Sequence, residues 1–164
     1  MLDIKAALPL LNEHRKIFIT THHKPDGDAM GSALGLYHYL KQIGHDPTVV
    51  SPSAVPDFLM WMPGMETVLN FEAEAKDALA ALENSDLIFC LDFNRLDRVK
   101  ALETPLREST QPKILIDHHL LPELPVFNYG SSQPGKSSTC EMVYDFILLN
   151  NGRDYLSQAV MQCL

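Results

Sequence analysis

The sequence is poor in cysteine: its three thiols, Cys90, Cys140 and Cys163, are scattered along 164 residues. Their spacing provides neither a disulfide framework nor the paired arrangement that holds a structural zinc ion. Cys90 lies inside the apolar run LIFCL, so we interpret it as a core residue. The chain is therefore predicted to be stabilised by an ordinary hydrophobic core, for which its length is sufficient.

Basic residues are also scarce, since 13 Lys and Arg stand against 21 Asp and Glu and the formal net charge is −8. A surface that binds duplex nucleic acid is expected to be basic, so this balance argues against such a partner. A small phosphorylated ligand stays compatible with it, because bound cations can reverse the sign of the local charge.

The sequence has no apolar run that approaches the length of a membrane span. Its start, MLDIKAALPLLNEH, is acidic and amphipathic, unlike a signal peptide. We therefore expect a cytoplasmic protein with no membrane partner. The fingerprint G-x-G-x-x-G does not follow the first predicted strand, which argues against an oxidoreductase with a dinucleotide cofactor.

What the chain does contain is an alternation of apolar runs with helical patterns. The predicted strands are KIFIT (16–20), TVVS (48–51), LIFCL (87–91) and KILI (113–116). The predicted helices cover 3–14, 29–43, 72–83, 97–107 with a break at Pro105, 137–150 and 154–163, and 52–70 is predicted to be irregular. This order predicts a doubly wound α/β fold, with a mainly parallel sheet flanked by helices.

Three of the predicted strands end in ionisable residues. KIFIT is followed by His22, Asp26 and Asp28, LIFCL by Asp92, and KILI by Asp117, His118 and His119. Ligands of open α/β sheets bind beyond the carboxyl ends of the strands, so these side chains converge if the strands are neighbours. Converging carboxylates repel one another unless they bind cations. Mixed carboxylate and imidazole donors suit manganese, iron or zinc better than calcium.

Each cluster also has a plainer interpretation. Asp28 could cap the helix that follows it, and Asp26 could lie in a turn with Gly27. Asp92 and the triplet at 117–119 could belong to solvated loops. One such coincidence is common, but three at successive strand ends favour a metal site, where two cations could hold a phosphate and activate a water.

The segments THHKPDGDAMGS, LDFNRLDRV and IDHH resemble the first three motifs of the DHH phosphoesterase superfamily, closest to its NrnA-like oligoribonuclease and pAp-phosphatase branch. The resemblance implies a Rossmann-like DHH catalytic domain with two divalent cations, of which manganese is the expected metal. It implies that the metal ligands are His22, Asp26, Asp28, Asp92 and His118, with Asp28 and Asp92 as bridging ligands.

The same resemblance implies the catalytic roles of the DHH triplet. Asp117 would orient the site, and His119 would face the substrate phosphate as an electrostatic partner or proton donor. Arg98 matches a position that is often basic in this branch and is a predicted substrate contact. Ser137, Ser138 and Thr139 begin a predicted helix, and a helix N-terminus can hold an anion. Ser137 and Ser138 are therefore further predicted contacts, although capping of the helix, by Ser138 or Thr139, is the favoured interpretation.

The implied activity is the hydrolysis of a phosphoester in short oligonucleotides, in linear dinucleotides such as pApA, or in pAp, by a water that two metals activate. One alternative is a phosphoanhydride hydrolase of the pyrophosphatase or exopolyphosphatase kind, and another is a nucleotide-binding domain without catalysis. An adenine-dependent substrate preference would favour the phosphoesterase, and nucleotide binding that is insensitive to chelator would favour the binding domain.

The sequence departs from the family pattern in two respects. It contains no DTG-like fourth motif, which supplies a further metal-ligating aspartate, and no GGGH-like segment of a substrate-binding second domain. We therefore expect these 164 residues to be an N-terminal catalytic domain without its partner domain, with weak or no turnover of their own. The apolar stripe on the last predicted helix could drive self-association, so a homodimer is a candidate assembly.

Overall fold

The structure, a computed structural model, describes residues 2–164 and contains a single six-stranded sheet in that range. The strands are β1 (Lys16–Thr20), β2 (Asp46–Ser51), β3 (Leu69–Asn70), β4 (Leu87–Leu91), β5 (Lys113–Asp117) and β6 (Tyr129–Ser132). The α-helices are α1 (Gly27–Gln42), α2 (Phe71–Glu83), α3 (Glu103–Glu108), α4 (Thr139–Leu149) and α5 (Gln158–Cys163). Among the residues described, no helix is long and apolar enough to cross a bilayer.

The strands are ordered β3-β2-β1-β4-β5-β6, and every pairing is parallel. This arrangement confirms the predicted doubly wound α/β fold. The chain leaves β1 towards β2 on one side and returns to place β4 on the other side. Strand order therefore reverses between β1 and β4, which is where open α/β sheets form their ligand crevice.

Both faces of the sheet are covered, because the central strands are apolar on both sides. On one face, Ile19 of β1 and Phe89 of β4 belong to a core shared with α1, α4 and α5. On the other face, Phe18 and Ile88 belong to a second core, shared with α2 and α3. The layers fix β1 and β4 side by side, and they bring the first turns of α1 and α4 to the carboxyl edge of the sheet.

Four local features differ from the sequence-based expectations. The first helix is a 3₁₀ helix over Lys5–Leu11 and not an α-helix over 3–14, since Pro9 lies inside it and has no N–H to donate. The predicted break at Pro105 lies instead at Lys100, where φ is 52°. Pro105 lies in the first turn of α3, where its missing N–H costs no hydrogen bond. The short strands β3 and β6 were not predicted.

Candidate metal centre

The three ionisable clusters do meet, because β1, β4 and β5 are neighbours in the sheet. Asp92 follows β4 directly, between the residues that follow β1 and those that follow β5. Its backbone adopts a left-handed conformation with φ of 62°, which aspartate tolerates better than most residues do. This turn at the end of β4 leaves the Asp92 side chain almost fully buried, at 2% exposure.

The two carboxylate oxygens of Asp92 face different histidines. Its Oδ2 lies 3.5 Å from Nε2 of His22, and its Oδ1 lies 3.5 Å from Nε2 of His118. Two groups of donors result, with Asp92 common to both. The first adds Asp26, whose Oδ1 is 3.9 Å from Nε2 of His22, and the second adds Asp28, whose Oδ2 is 3.5 Å from Nε2 of His118.

Neighbouring donor atoms that share one ion at about 2.1 Å lie about 3–3.5 Å apart. The 3.5 Å distances match this spacing, and the 3.9 Å distance between His22 and Asp26 exceeds it slightly. Single donor atoms of His22, Asp26 and Asp92 all lie within 4.8 Å of one another. Imidazole nitrogen and carboxylate oxygen donors without thiolate are a set that manganese, iron or zinc accepts. Asp92 lies between the two donor groups, and its bridging role, like that of Asp28, stays a prediction.

Both histidines present the nitrogen that a metal would need. Nδ1 of His22 is 3.0 Å from the carbonyl oxygen of His23, and Nδ1 of His118 is 3.3 Å from that of Lys136. A carbonyl can only accept, so each Nδ1 carries the proton and each Nε2 faces the carboxylates. Burial lowers the pKa of His22, but its contacts with Asp92, the His23 carbonyl and Asp26 raise it more, for a net increase.

His119 is held by Asp117 through two hydrogen bonds. Nδ1 of His119 donates to Oδ1 of Asp117 over 2.7 Å, and its backbone N–H donates to Oδ2 over 3.0 Å. Burial raises the pKa of the fully buried Asp117, and the bonds from His119 offset only part of the increase. Nδ1 of His119 also lies 3.9 Å from Asp92, but its bond to Asp117 makes it a donor and not a metal ligand. Its Nε2 lies on the opposite side of the ring.

The start of α4 contacts this site in a way that the sequence did not predict. The backbone N–H groups of Thr139 and Cys140 donate to the two oxygens of Asp28, each over 2.8 Å. The Thr139 hydroxyl donates to Oδ1 of Asp92, also over 2.8 Å. The helix N-terminus therefore holds an anion, as considered from the sequence, but that anion is a carboxylate of the protein itself.

Asp26 has a second contact besides its place in the first donor group, whereas Arg98 lies outside both groups. Oδ1 of Asp26 caps α1 by accepting from the N–H groups of Asp28 and Ala29, so the cap is Asp26 and not Asp28. Arg98 is exposed, and its carbonyl accepts from the N–H of His23 over 2.9 Å. Its contact with substrate stays a prediction.

The two serines act within the start of α4. The Ser138 hydroxyl accepts from the N–H of Glu141 over 3.0 Å, which confirms that Ser138 can cap the helix. Ser137 donates to Oε2 of Glu141 through its N–H and its hydroxyl. Lys136 contacts Glu141 from the other side, and together these bonds hold the pKa of Glu141 down at about 2. A substrate contact of either serine stays a prediction.

The chain was compared with known protein families and with individual proteins. The sequence pattern of the DHH family, N-terminal domain, matches residues 16–164. The chain is 35% identical over 132 residues to the bifunctional oligoribonuclease and PAP phosphatase NrnA of Thermus thermophilus. These 132 residues cover 80% of this chain and 36% of that protein.

Among solved structures, an exopolyphosphatase-related protein from Bacteroides fragilis matches with a TM-score of 0.93 and 37% identity, over 97% of this chain and 47% of that one. An exonuclease RecJ bound to manganese matches with a TM-score of 0.55 and 19% identity, over 99% of this chain and 43% of that one, and it shows the shared fold alone. The chain thus spans less than half the length of these relatives.

Proposed function

Because this chain belongs to the DHH family, as its match over residues 16–164 shows, we propose that it is the metal-binding catalytic domain of a divalent-metal-dependent phosphoesterase. The observation that carries the proposal is the position of Asp92, whose two oxygens face separate histidines at 3.5 Å each. A carboxylate shared by two donor groups is the arrangement that a two-metal hydrolase requires.

Two manganese ions are the proposed occupants. One would be held by His22, Asp26 and Asp92, and the other by Asp28, His118 and Asp92. When bound, such ions lower the pKa of a water between them and neutralise charge on the phosphoryl oxygens. The buried position of Asp92 strengthens its electrostatic contacts, because little water screens them.

His119 is proposed to act on the substrate phosphate. Asp117 fixes its ring by the bond to Nδ1 and leaves Nε2 on the side away from the protein carboxylate. The ring is about one-third exposed, with 35% of its side-chain surface accessible, so a ligand can reach it. In the imidazolium form, with a proton on each nitrogen, Nε2 would donate a hydrogen bond or a proton to a phosphoryl oxygen while Nδ1 keeps its bond to Asp117.

The proposed substrates are short oligonucleotides, linear dinucleotides such as pApA, or pAp. The identity to the Thermus protein, whose name states oligoribonuclease and PAP phosphatase activities, supports this choice. The proposal further assigns substrate positioning to a second domain outside these 164 residues. We therefore expect the 164-residue chain alone to turn over substrate slowly.

A second candidate is the hydrolysis of phosphoanhydride bonds, as in polyphosphate. It is favoured by the 37% identity and the TM-score of 0.93 to the exopolyphosphatase-related protein of Bacteroides fragilis. The same residues would serve either reaction, since both hydrolyse a bond to phosphorus and would draw on the same metal chemistry. The difference would lie in whether a nucleoside is recognised.

The test has two stages. Manganese is first titrated into the chain by calorimetry, where we expect binding that EDTA reverses; failure to bind manganese would contradict the proposal. Hydrolysis is then measured with manganese present, as AMP formed from pAp and pApA and as phosphate released from pyrophosphate and polyphosphate. Cleavage of the adenine compounds alone supports the phosphoesterase, and cleavage of polyphosphate alone supports the second candidate. Nucleotide binding that EDTA leaves unchanged would point to a binding domain without catalysis.

A further inference from the structure

Within the proposed function, we propose that Thr139 is a positioning residue that sets the manganese affinity of this site by fixing the carboxylate of Asp92. Its hydroxyl donates to Oδ1 of Asp92 over 2.8 Å, and Thr139 is fully buried. A carboxylate can only accept, so the hydroxyl proton lies in this bond. A hydrogen bond to a charged acceptor away from water is among the stronger ones in proteins.

The bond matters because it controls a rotation. The terminal torsion of an aspartate is broad, so the plane of its carboxylate turns easily. The role of Asp92 depends on that plane, since Oδ1 must face His118 while Oδ2 faces His22. A quarter turn would move both oxygens out of both donor groups at once. The Thr139 hydroxyl holds Oδ1 on the His118 side and thereby leaves Oδ2 on the His22 side.

The hydroxyl of Thr139 neither caps α4 nor bonds within it, so its position is not explained by the helix itself. Ser138, and not Thr139, provides the side-chain cap of α4. Threonine hydroxyls in helices commonly bond to the carbonyl one turn earlier, whereas the Thr139 hydroxyl bonds to Asp92, at the end of β4. The contact joins residues 47 positions apart, so it is tertiary in origin.

The turn that carries Thr139 is itself anchored to the site. Its N–H groups at Thr139 and Cys140 bind Asp28, and the carbonyl of Lys136 accepts from Nδ1 of His118. The Lys136 ammonium in turn pairs with Glu141 at 2.9 Å and with Asp145 at 2.7 Å. Residues 136–140 therefore contact a predicted ligand from each of the three strand ends, and within this segment the Thr139 hydroxyl is the group that bonds to Asp92.

The test compares variants of the 164-residue chain by titration with manganese alone. Thr139→Val keeps the branched shape and removes the hydroxyl, and we expect its manganese affinity to fall by about 10- to 100-fold, as for other residues that orient metal ligands. Thr139→Ser keeps the hydroxyl and should recover most of the affinity. Should valine disturb the packing, Thr139→Ser against Thr139→Ala gives the same comparison, since those variants differ only in the hydroxyl.

Thr20→Val is the matched control. Thr20 is also fully buried near the carboxyl edge of the sheet, and its hydroxyl donates over 2.8 Å to the carbonyl of Val50 and not to a ligand. We expect this variant to lose stability in thermal melts and to bind manganese like the wild type. Equal affinities for Thr139→Val and wild type, or equal losses for Thr139→Val and Thr20→Val, would overturn the role of Thr139. If the wild type bound no manganese, the proposed function would fail as well.

Discussion

Replacing Asp92 by asparagine should abolish metal binding and leave the metal-free protein as stable as the wild type, or more stable. The new side chain would keep an oxygen to accept from the Thr139 hydroxyl, and its amide could donate to Nε2 of His22. The substitution removes a negative charge that is 2% exposed and lies close to other carboxylates. Relief of that repulsion offsets the altered contacts in the absence of metal.

The size of the lost metal effect can be worked out from linkage. At a manganese concentration of about 100 times its Kd, the free energy of unfolding of the wild type should increase by about 2.7 kcal/mol. For a chain of 164 residues, this gain raises the melting temperature by about 5–11 °C. Asp92→Asn should show no such increase, because both donor groups lose their common carboxylate.

Asp28→Asn supplies the contrast that makes this prediction specific. Both oxygens of Asp28 accept backbone N–H groups, from Thr139 and Cys140, at 2.8 Å each. An asparagine offers one oxygen and turns an N–H₂ group towards the other donor. This variant should therefore lose about 1–3 kcal/mol of stability without metal, the cost of an unsatisfied partner, and should also bind manganese poorly.

The assay is a thermal melt of the three proteins by circular dichroism, with EDTA and with manganese. A histidine titration by NMR adds a second measurement: the pKa of His22 should fall in Asp92→Asn, since the hydrogen bond to Asp92 is the largest of the contacts that raise it. The reasoning is refuted if Asp92→Asn is the less stable of the two variants in EDTA. It is also refuted if manganese raises the melting temperature of Asp92→Asn as much as that of the wild type.

Two further predictions concern the stability of the fold. Gly31→Ala should be destabilising by about 1–3 kcal/mol, because its Cβ would lie 2.5 Å from the carbonyl oxygen of Cys163, whereas Gly27→Ala meets no atom within 4 Å and should be neutral in denaturant unfolding. His45 is predicted to make the fold acid-sensitive: burial lowers the pKa of its ring, with His14 and Arg15 lowering it further, so the unfolded state binds the proton first and stability falls below about pH 6.5. His45→Asn keeps an acceptor for the N–H of Arg15, and its melting temperature should fall less than that of the wild type between about pH 7.5 and about pH 5.5.

The parts of the fold that sequence predicted are those with strong local signals. β4 is continuously apolar, and β1 and β5 each have an apolar run after a lysine, so their strand character and their burial follow from composition. β6 has the sequence YGSS and no apolar signal; it pairs with β5 because its backbone reaches the edge of an existing sheet. The break at Lys100 likewise depends on tertiary packing, since nothing in the local sequence favours a positive φ there.

In the candidate site, too, the residues with a strong local signal were predicted and those that depend on tertiary contacts were not. His22, Asp92 and the DHH triplet are recognisable because each follows a strong strand, and parallel neighbours carry such residues to one edge. Thr139 was interpreted as a candidate helix cap, and its contacts with the carboxylates were missed because they join it to residues 47 and 111 positions earlier, a range that no local pattern encodes. The hydroxyl residues at 137–139 were a usable signal, but capping alone accounts for two of them.

Hydrogen bonds within the chain orient the carboxylates of the site without the help of a metal ion. Asp28 accepts two N–H groups of α4, Asp92 accepts the Thr139 hydroxyl, and Asp117 accepts two bonds from His119. Each of these carboxylates therefore has a donor within the chain that reduces its repulsion from the others. Because the donors also fix the direction of each carboxylate, the ligand geometry forms together with the sheet. A metal ion would then bind by completing a formed site and would not have to order a loop, which lowers the entropic cost of binding.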